Sequence, residues 1–276
     1  MRASAARVLA CVIALSVLLP FSSCKRTNTD NPSASGYYDE SGSYQISIPD
    51  RKPQLAELEK KNPDAVAWLH IPDTDIDEGV VQAGDNEYYL RKNVYGDYAY
   101  EGCFFLDYEC LPMENGLFSR NSIIYGHNLG SPMGVKDDPN GAKFAQLLKF
   151  ANEEFAKKTP YIFITTEKNA YAFEIFAAFY CEAETVPVPY HYADYSDDEF
   201  TQLMHDVQDR SEYIYQAQPG NGDNILTLST CTYKFGTYSQ NPNQRFVVMA
   251  RLMREGDTYQ ESAQFEKNPN PKPPNF

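Results

Sequence analysis

Three side chains in this 276-residue chain could together do acyl chemistry on a thiol: Cys231, His127 and Arg245. Cys231 closes the segment "NILTLSTC" (224–231). Strand alternation there sends Leu226, Leu228 and Thr230 to one face and Ile225, Thr227, Ser229 and Cys231 to the other. The leucines require a core, so the thiol faces away from it, beside the Ser229 hydroxyl and at the strand's exit. A structural cysteine sits more often among the apolar residues. The loop 232–244 leads on to "RFVVMARLM" (245–253), headed by Arg245. If the two segments pair as antiparallel neighbours, the loop stems approach to roughly 5 Å between Cα atoms, and the guanidinium stands beside the sulfur. A fixed cation favours thiolate over thiol, and its N–H groups can hold a developing oxyanion. Taken alone, a strand-end arginine is more often a solvated surface group.

A thiol nucleophile also needs an acid/base partner. The chain offers four histidines, His70, His127, His191 and His205. His205 follows Met204 on a predicted helix and reads as a surface residue. His70 alternates within a strand, and His191 lies in the tyrosine-rich "PYHYADY". His127 ends the strand "SIIYGH" (122–127), where Gly126 permits close backbone approach. Strand exits are where catalytic groups collect on a β scaffold. Separation from Cys231 in sequence is no obstacle, because such pairs meet in space.

The elements that must position these groups are mostly short strands. "AVAWLHI" (65–71) and "DIDEGVVQ" (75–82) flank the turn "PDTD", and "CFFLD" (103–107) follows. "YIFITT" (161–166) and "AYAFEIFAAFY" (170–180) form a hairpin. A short helix runs from Leu55 to Asn62-Pro63, and "AKFAQLLKFANEEFAKK" (142–158) is predicted helical. Ser196 and Glu199 make a capping-box pattern, after which Phe200, Leu203, Met204 and Val207 share one helix face. Some eight strands with a few inserted helices predict a mostly antiparallel, closed β-barrel with helices in its loops.

Composition narrows the context. The formal charge of −14 argues against nucleic acid, whose phosphates need clustered Lys and Arg. Residues 1–24 read as an export signal or anchor: Arg2 and Arg7 precede the apolar run Val8–Phe21, then small residues reach Cys24. Retention as a membrane anchor, lipidation at Cys24 and plain cleavage all place the domain outside the cytoplasm. Residues 25–50 are polar and read as a flexible tether, and 263–276 as a disordered Pro- and Asn-rich tail. The catalytic domain is then 51–262. Of its four cysteines, Cys103 and Cys110 could pair, or all four could be free. No CxxC occurs, so no metal is expected, and the acidic "VKDDPNG" (135–141) reads as a solvated turn. The thiol chemistry needs no cofactor.

"TLSTCTY", "IIYGHN" and "QRFVVMARL", in that family order, resemble the signature segments of sortases, class B in particular. "NPDAVAWLHIPDTDIDEGVVQAGDNEYYL" (62–90) and the capped helix 196–210 extend the likeness over about residues 53–254. The resemblance implies an eight-stranded sortase-like barrel. It implies a membrane-tethered, extracellular cysteine transpeptidase of the kind found mostly in Gram-positive bacteria. Such an enzyme cleaves a C-terminal sorting signal of a surface protein and passes the acyl group to an amine of a peptidoglycan precursor or a pilin. Carried over, Cys231 is the nucleophile, His127 the acid/base and Arg245 the oxyanion or substrate-backbone donor. Ser229 and Tyr190 match substrate-contacting residues. Some class B members have an acid two places after the cysteine, where this chain has Tyr233, so the orienting partner of His127 stays unassigned. A hydrolytic thiol peptidase on the same scaffold and a non-catalytic, peptide-binding surface barrel are the alternatives.

Overall fold

The computed structural model describes residues 36–130, 134–183 and 189–274. The proposed signal or anchor, 1–24, lies outside the described residues. In chain order the elements are β1 (Gly36–Tyr38), β2 (Tyr44–Ile46), α1 (Lys52–Glu59), β3 (Ala65–His70), β4 (Asp77–Val81), β5 (Phe104–Leu106) and β6 (Asn121–Tyr125). Then come β7 (Asn128–Leu129), β8 (Ala142–Lys143), a 3₁₀ helix (Phe144–Ala151), α2 (Glu153–Lys158), β9 (Tyr161–Thr165) and β10 (Ala170–Glu182). The remainder is α3 (Asp197–Arg210), β11 (Tyr213–Tyr215), β12 (Ile225–Cys231), β13 (Gln244–Leu252) and β14 (Phe265–Lys267).

Eight strands close a barrel in the order β10-β13-β12-β6-β5-β4-β3-β9. The expected alternation is realised in β12. Leu226 and Leu228 point into the barrel core with Phe246, Val248 and Ile124, while Ile225 joins a second cluster with Val247, Met249 and Phe179. α3 roofs that second cluster with Phe200, Leu203, Met204 and Val207, the face its spacing predicts. Its first turn is set by the capping box, with Ser196 accepting from the Glu199 amide and Glu199 reaching back to Ser196 N.

Two barrel pairings are parallel, β12 with β6 and β4 with β5. Parallel neighbours cannot be joined by a tight turn. The chain therefore makes a long excursion between β4 and β5, over residues 82–103, across the outside of the barrel. This connection is pinned at its middle: Tyr89 donates to Asp64 Oδ2 at 2.7 Å, and Asn62 Nδ2 donates to Tyr89 Oη and to the Val94 carbonyl, each at 2.8 Å.

Several expectations need correction. The tether reading of 25–50 fails from Gly36 onward. β1 and β2 form a hairpin there, and Ile46 and Ile48 pack on Tyr161 and Phe163. The tail reading of 263–276 fails because β14 pairs with β11 and Phe265 stacks on Tyr213 and Tyr215. Both segments carry a few apolar residues that cover the barrel's flank, so they order in spite of their polar composition. The predicted helix 142–158 is broken into three. Phe144, Leu147 and Phe150 recur every third residue and are fully buried, which suits three residues per turn rather than 3.6. Asn152 then ends the run by capping α2, accepting from the Phe155 amide at 3.0 Å. Of the alternatives for the cysteines, the free one holds: Cys103, Cys110, Cys181 and Cys231 are all unpaired.

Candidate active site

The β12–β13 register places Cys231 directly opposite Arg245. On its other side Arg245 opposes Cys181 of β10, so one row across three strands reads Cys181, Arg245, Cys231. Cys181 is buried, whereas Cys231 is partly exposed. Nη1 of Arg245 donates to the carbonyls of Pro242 (2.9 Å) and Gln244 (3.0 Å). These bonds hold the guanidinium through Nη1, and among the described residues Nε and Nη2 make no hydrogen bond. Burial disfavours the guanidinium charge, but the negative charges that Cys231, Tyr190 and Cys181 carry once ionised outweigh it and hold the Arg245 pKa above its ordinary value.

His127 reaches the same place from the parallel neighbour. The last β6–β12 pair is Tyr125 with Ser229, and two residues further along each chain stand His127 and Cys231. Gly126 makes this approach possible, since a Cβ there would come within 2.7 Å of Phe104 and 2.8 Å of Phe144, whose rings stack at 4.3 Å. The imidazole is held by the long 82–103 connection. Nε2 lies 2.7 Å from the Leu90 carbonyl, which can only accept, so Nε2 carries the proton and Nδ1 is the ring's base. Arg91 Nη1 lies 3.3 Å from the same nitrogen. Gly102 lets this connection close over the ring: its φ is +61°, and a Cβ would meet the Leu90 carbonyl at 2.8 Å and His127 Cδ2 at 3.1 Å. Burial lowers the His127 pKa below 6.5, the Leu90 contact opposes this, and the Arg91 charge adds to the lowering. The ring is therefore neutral at pH 7.

Cys231, His127 and Arg245 line one cleft of about 330 Å³, together with Leu90, Tyr125 and Thr230. Ser229 and Tyr190 line it too, but both are buried, and their hydroxyls lie 3.2 Å apart. They form the cleft floor in this state. The arrangement brings a thiol, a neutral imidazole and a fixed cation to one barrel end, the kinds of group that thioacyl transfer would use.

Sequence reasoning misses three contributors. Leu90 acts through its carbonyl, which no residue type announces. His191 lies among tyrosines with no catalytic signal around it, yet it lines the cleft and touches Tyr190 and Tyr192 through its ring alone. Asp137 has the composition of a solvated turn around it, yet it accepts from Thr232 Oγ1 at 2.6 Å and from the Tyr233 amide at 3.0 Å. Asn128, directly after His127, is the one visible signal that could point to it. Among the described residues no cluster fit to hold a metal ion occurs.

A family model described as the sortase domain matches residues 69–253. A sortase B of Listeria monocytogenes serovar 1/2a is 32% identical over 200 residues, covering 72% of this chain and 74% of that protein. The sortase B structure of Clostridium perfringens superposes with a TM-score of 0.61 at 28% identity, covering 72% of this chain and 99% of that one. A sortase B structure complexed with triglycine gives a TM-score of 0.61 at 25% identity, covering 74% and 87% of the two chains.

Proposed function

The chain belongs to the sortase family and is a cysteine transpeptidase of class B, and from that premise we propose that it works outside the cytoplasm, tethered by its first 24 residues, to cleave a C-terminal sorting signal of surface proteins and join the new acyl end to an amine of a peptidoglycan precursor or a pilin. The observation that carries this reading is the convergence of Cys231, His127 and Arg245 on one cleft. A relative that binds triglycine supports an amine as the second substrate. Among the described residues no helix is long and apolar enough to cross a membrane.

The chemistry runs in two balanced halves. Sγ of Cys231 attacks the scissile carbonyl carbon while its proton passes to the neutral His127 ring. The oxyanion that forms is held by Arg245. The C–N bond then breaks, and His127 gives the proton to the leaving amine, leaving a thioester on Cys231. In the second half the acceptor amine attacks that thioester, His127 takes its proton, and the C–S bond breaks. The sulfur is reprotonated by His127, which restores the resting enzyme. Ser229 and Tyr190 shape the floor on which the sorting signal lies.

The test is incubation of the purified protein with a panel of sorting-signal peptides, with and without triglycine, read by mass spectrometry. The expected result is an acyl adduct on Cys231 and ligation that depends on the amine. Equal hydrolysis with and without amine would point to a thiol peptidase instead. No adduct, with Cys231 alkylated no faster than a denatured control thiol, would favour a non-catalytic peptide-binding barrel.

A further inference from the structure

The ladder between β6 and β12 ends at Tyr125 and Ser229, before either reacting residue. Beyond that point a weak backbone contact, Gly126 N to the Ser229 carbonyl at 3.4 Å, is all that continues it. Side chains take over the connection. On the near side, Thr230 Oγ1 donates to the Gly126 carbonyl at 2.8 Å. On the far side, Asn128 Nδ2 donates to the Cys231 carbonyl at 3.0 Å and to Asp137 Oδ1 at 2.8 Å. Asp137 Oδ1 also accepts from the Tyr233 amide at 3.0 Å, and Oδ2 from Thr232 Oγ1 at 2.6 Å. The residue after His127 and the two residues after Cys231 are thus tied to a single carboxylate. Asn128 and Thr232 are buried, while Asp137 between them is partly exposed.

We propose that Asp137 is a positioning residue for transpeptidation: acting with Asn128, it clamps the chain just beyond His127 to the chain just beyond Cys231 and so fixes the spacing of imidazole and sulfur. The inference rests on the reading of Cys231 and His127 as the reacting pair. Asp137 itself touches neither group. Its contribution runs through hydrogen bonds, because its carboxylate accepts from three donors on the two strand exits. An amide can replace much of this. In Asp137→Asn one oxygen still accepts from Asn128 and Tyr233, and the new NH₂ can donate to the Thr232 hydroxyl. An alanine replaces none of it. Misplacement of reacting groups by about 1 Å costs on the order of 100-fold in rate.

The experiment compares the full-length wild type with Asp137→Ala, Asp137→Asn, Asn128→Ala and Cys231→Ala. Transpeptidation kcat and KM are measured on a sorting-signal peptide with triglycine, and thermal melting gives the folded fraction. Asp137→Ala is expected to lose roughly 10- to 100-fold in kcat, with KM within about twofold. Asp137→Asn should recover to within about fivefold of wild type, and adding Asn128→Ala to Asp137→Ala should cost little more, because both remove one tie. If Asp137→Ala does not fold, Asn128→Ala carries the same expected kcat loss and decides the matter. Unchanged kcat in the folded variants, or a loss that tracks the folded fraction alone, overturns the clamp while Cys231→Ala remains inactive. An active Cys231→Ala would instead overturn the reading of the site itself, and the clamp with it.

Discussion

Burial pushes the thiols of Cys103, Cys110 and Cys181 up to about 12, so each is protonated and shielded at neutral pH. Among the described cysteines only Cys231 is partly exposed; Cys181 shares the Arg245 neighbour but is buried. Iodoacetamide on the native protein should therefore label Cys231 and spare the other three, which react only after denaturation; peptide mapping by mass spectrometry checks this. Equal labelling of Cys181 would contradict the packing around it. Arg245→Ala should lower kcat by about 10²–10³-fold, the usual cost of removing an oxyanion donor. Melting should change little, since the Gln244 carbonyl keeps the Thr232 amide as a donor and the exposed Pro242 carbonyl can meet water instead. Retained activity in that variant would detach the guanidinium from the reaction. Lowering of the His127 pKa also sets a direction for the rate: the acid limb of kcat should fall below pH 6.5, because protonation removes the base.

The register of β12 on β13 was legible because its two signals agree. Leu226 and Leu228 fix which face is core, and the loop fixes which residue faces Cys231. α3 was legible for the same reason, with a cap at Ser196 and apolar residues at helical spacing. Removing the cap with Ser196→Ala should cost about 1 kcal/mol. In a domain of this size that is a drop of about 2–4 °C in melting temperature, measurable by calorimetry, with turnover at 25 °C unchanged. What stayed hidden were interactions that side-chain patterns do not encode. The parallel pairing of β6 with β12 depends on a crossover whose path the sequence does not mark. The 82–103 connection has no apolar period, and its decisive group is a backbone carbonyl. Asp137 sits in a segment whose composition is that of a solvated turn, and its role depends on three donors brought from elsewhere in the chain.

At the scale of the whole molecule, the barrel carries a histidine that titrates with folding. His70 is buried in β3 against Phe163, beside Asp77, whose carboxylate already serves Arg51 and Trp68. Burial is the main cause that lowers its pKa below 6.5; Asp77 opposes this and the Arg51 charge adds to it. The unfolded chain therefore binds a proton near pH 6.5 that the folded chain refuses. This contribution to stability is full above pH 6.5 and is lost as pH falls through the lower folded value. Melting temperature should fall between pH 7 and pH 5, and His70→Phe should fall less steeply over that window. Equal slopes would mean that other groups carry the acid sensitivity. The fold also reaches further than the composition of its ends suggests, from the β1–β2 hairpin to β14.

The ring of eight strands has one more consequence. A sheet that closes on itself offers no unpaired margin, so an incoming peptide cannot be captured at the barrel by adding itself as another strand. The cleft at one rim is lined both by strand residues, Tyr125, Ser229 and Arg245, and by the connections that carry Leu90, Tyr190 and His191. The connections are the part of that lining that can change without altering the strand pairing, so exchanging them should shift peptide preference while the barrel keeps its frame.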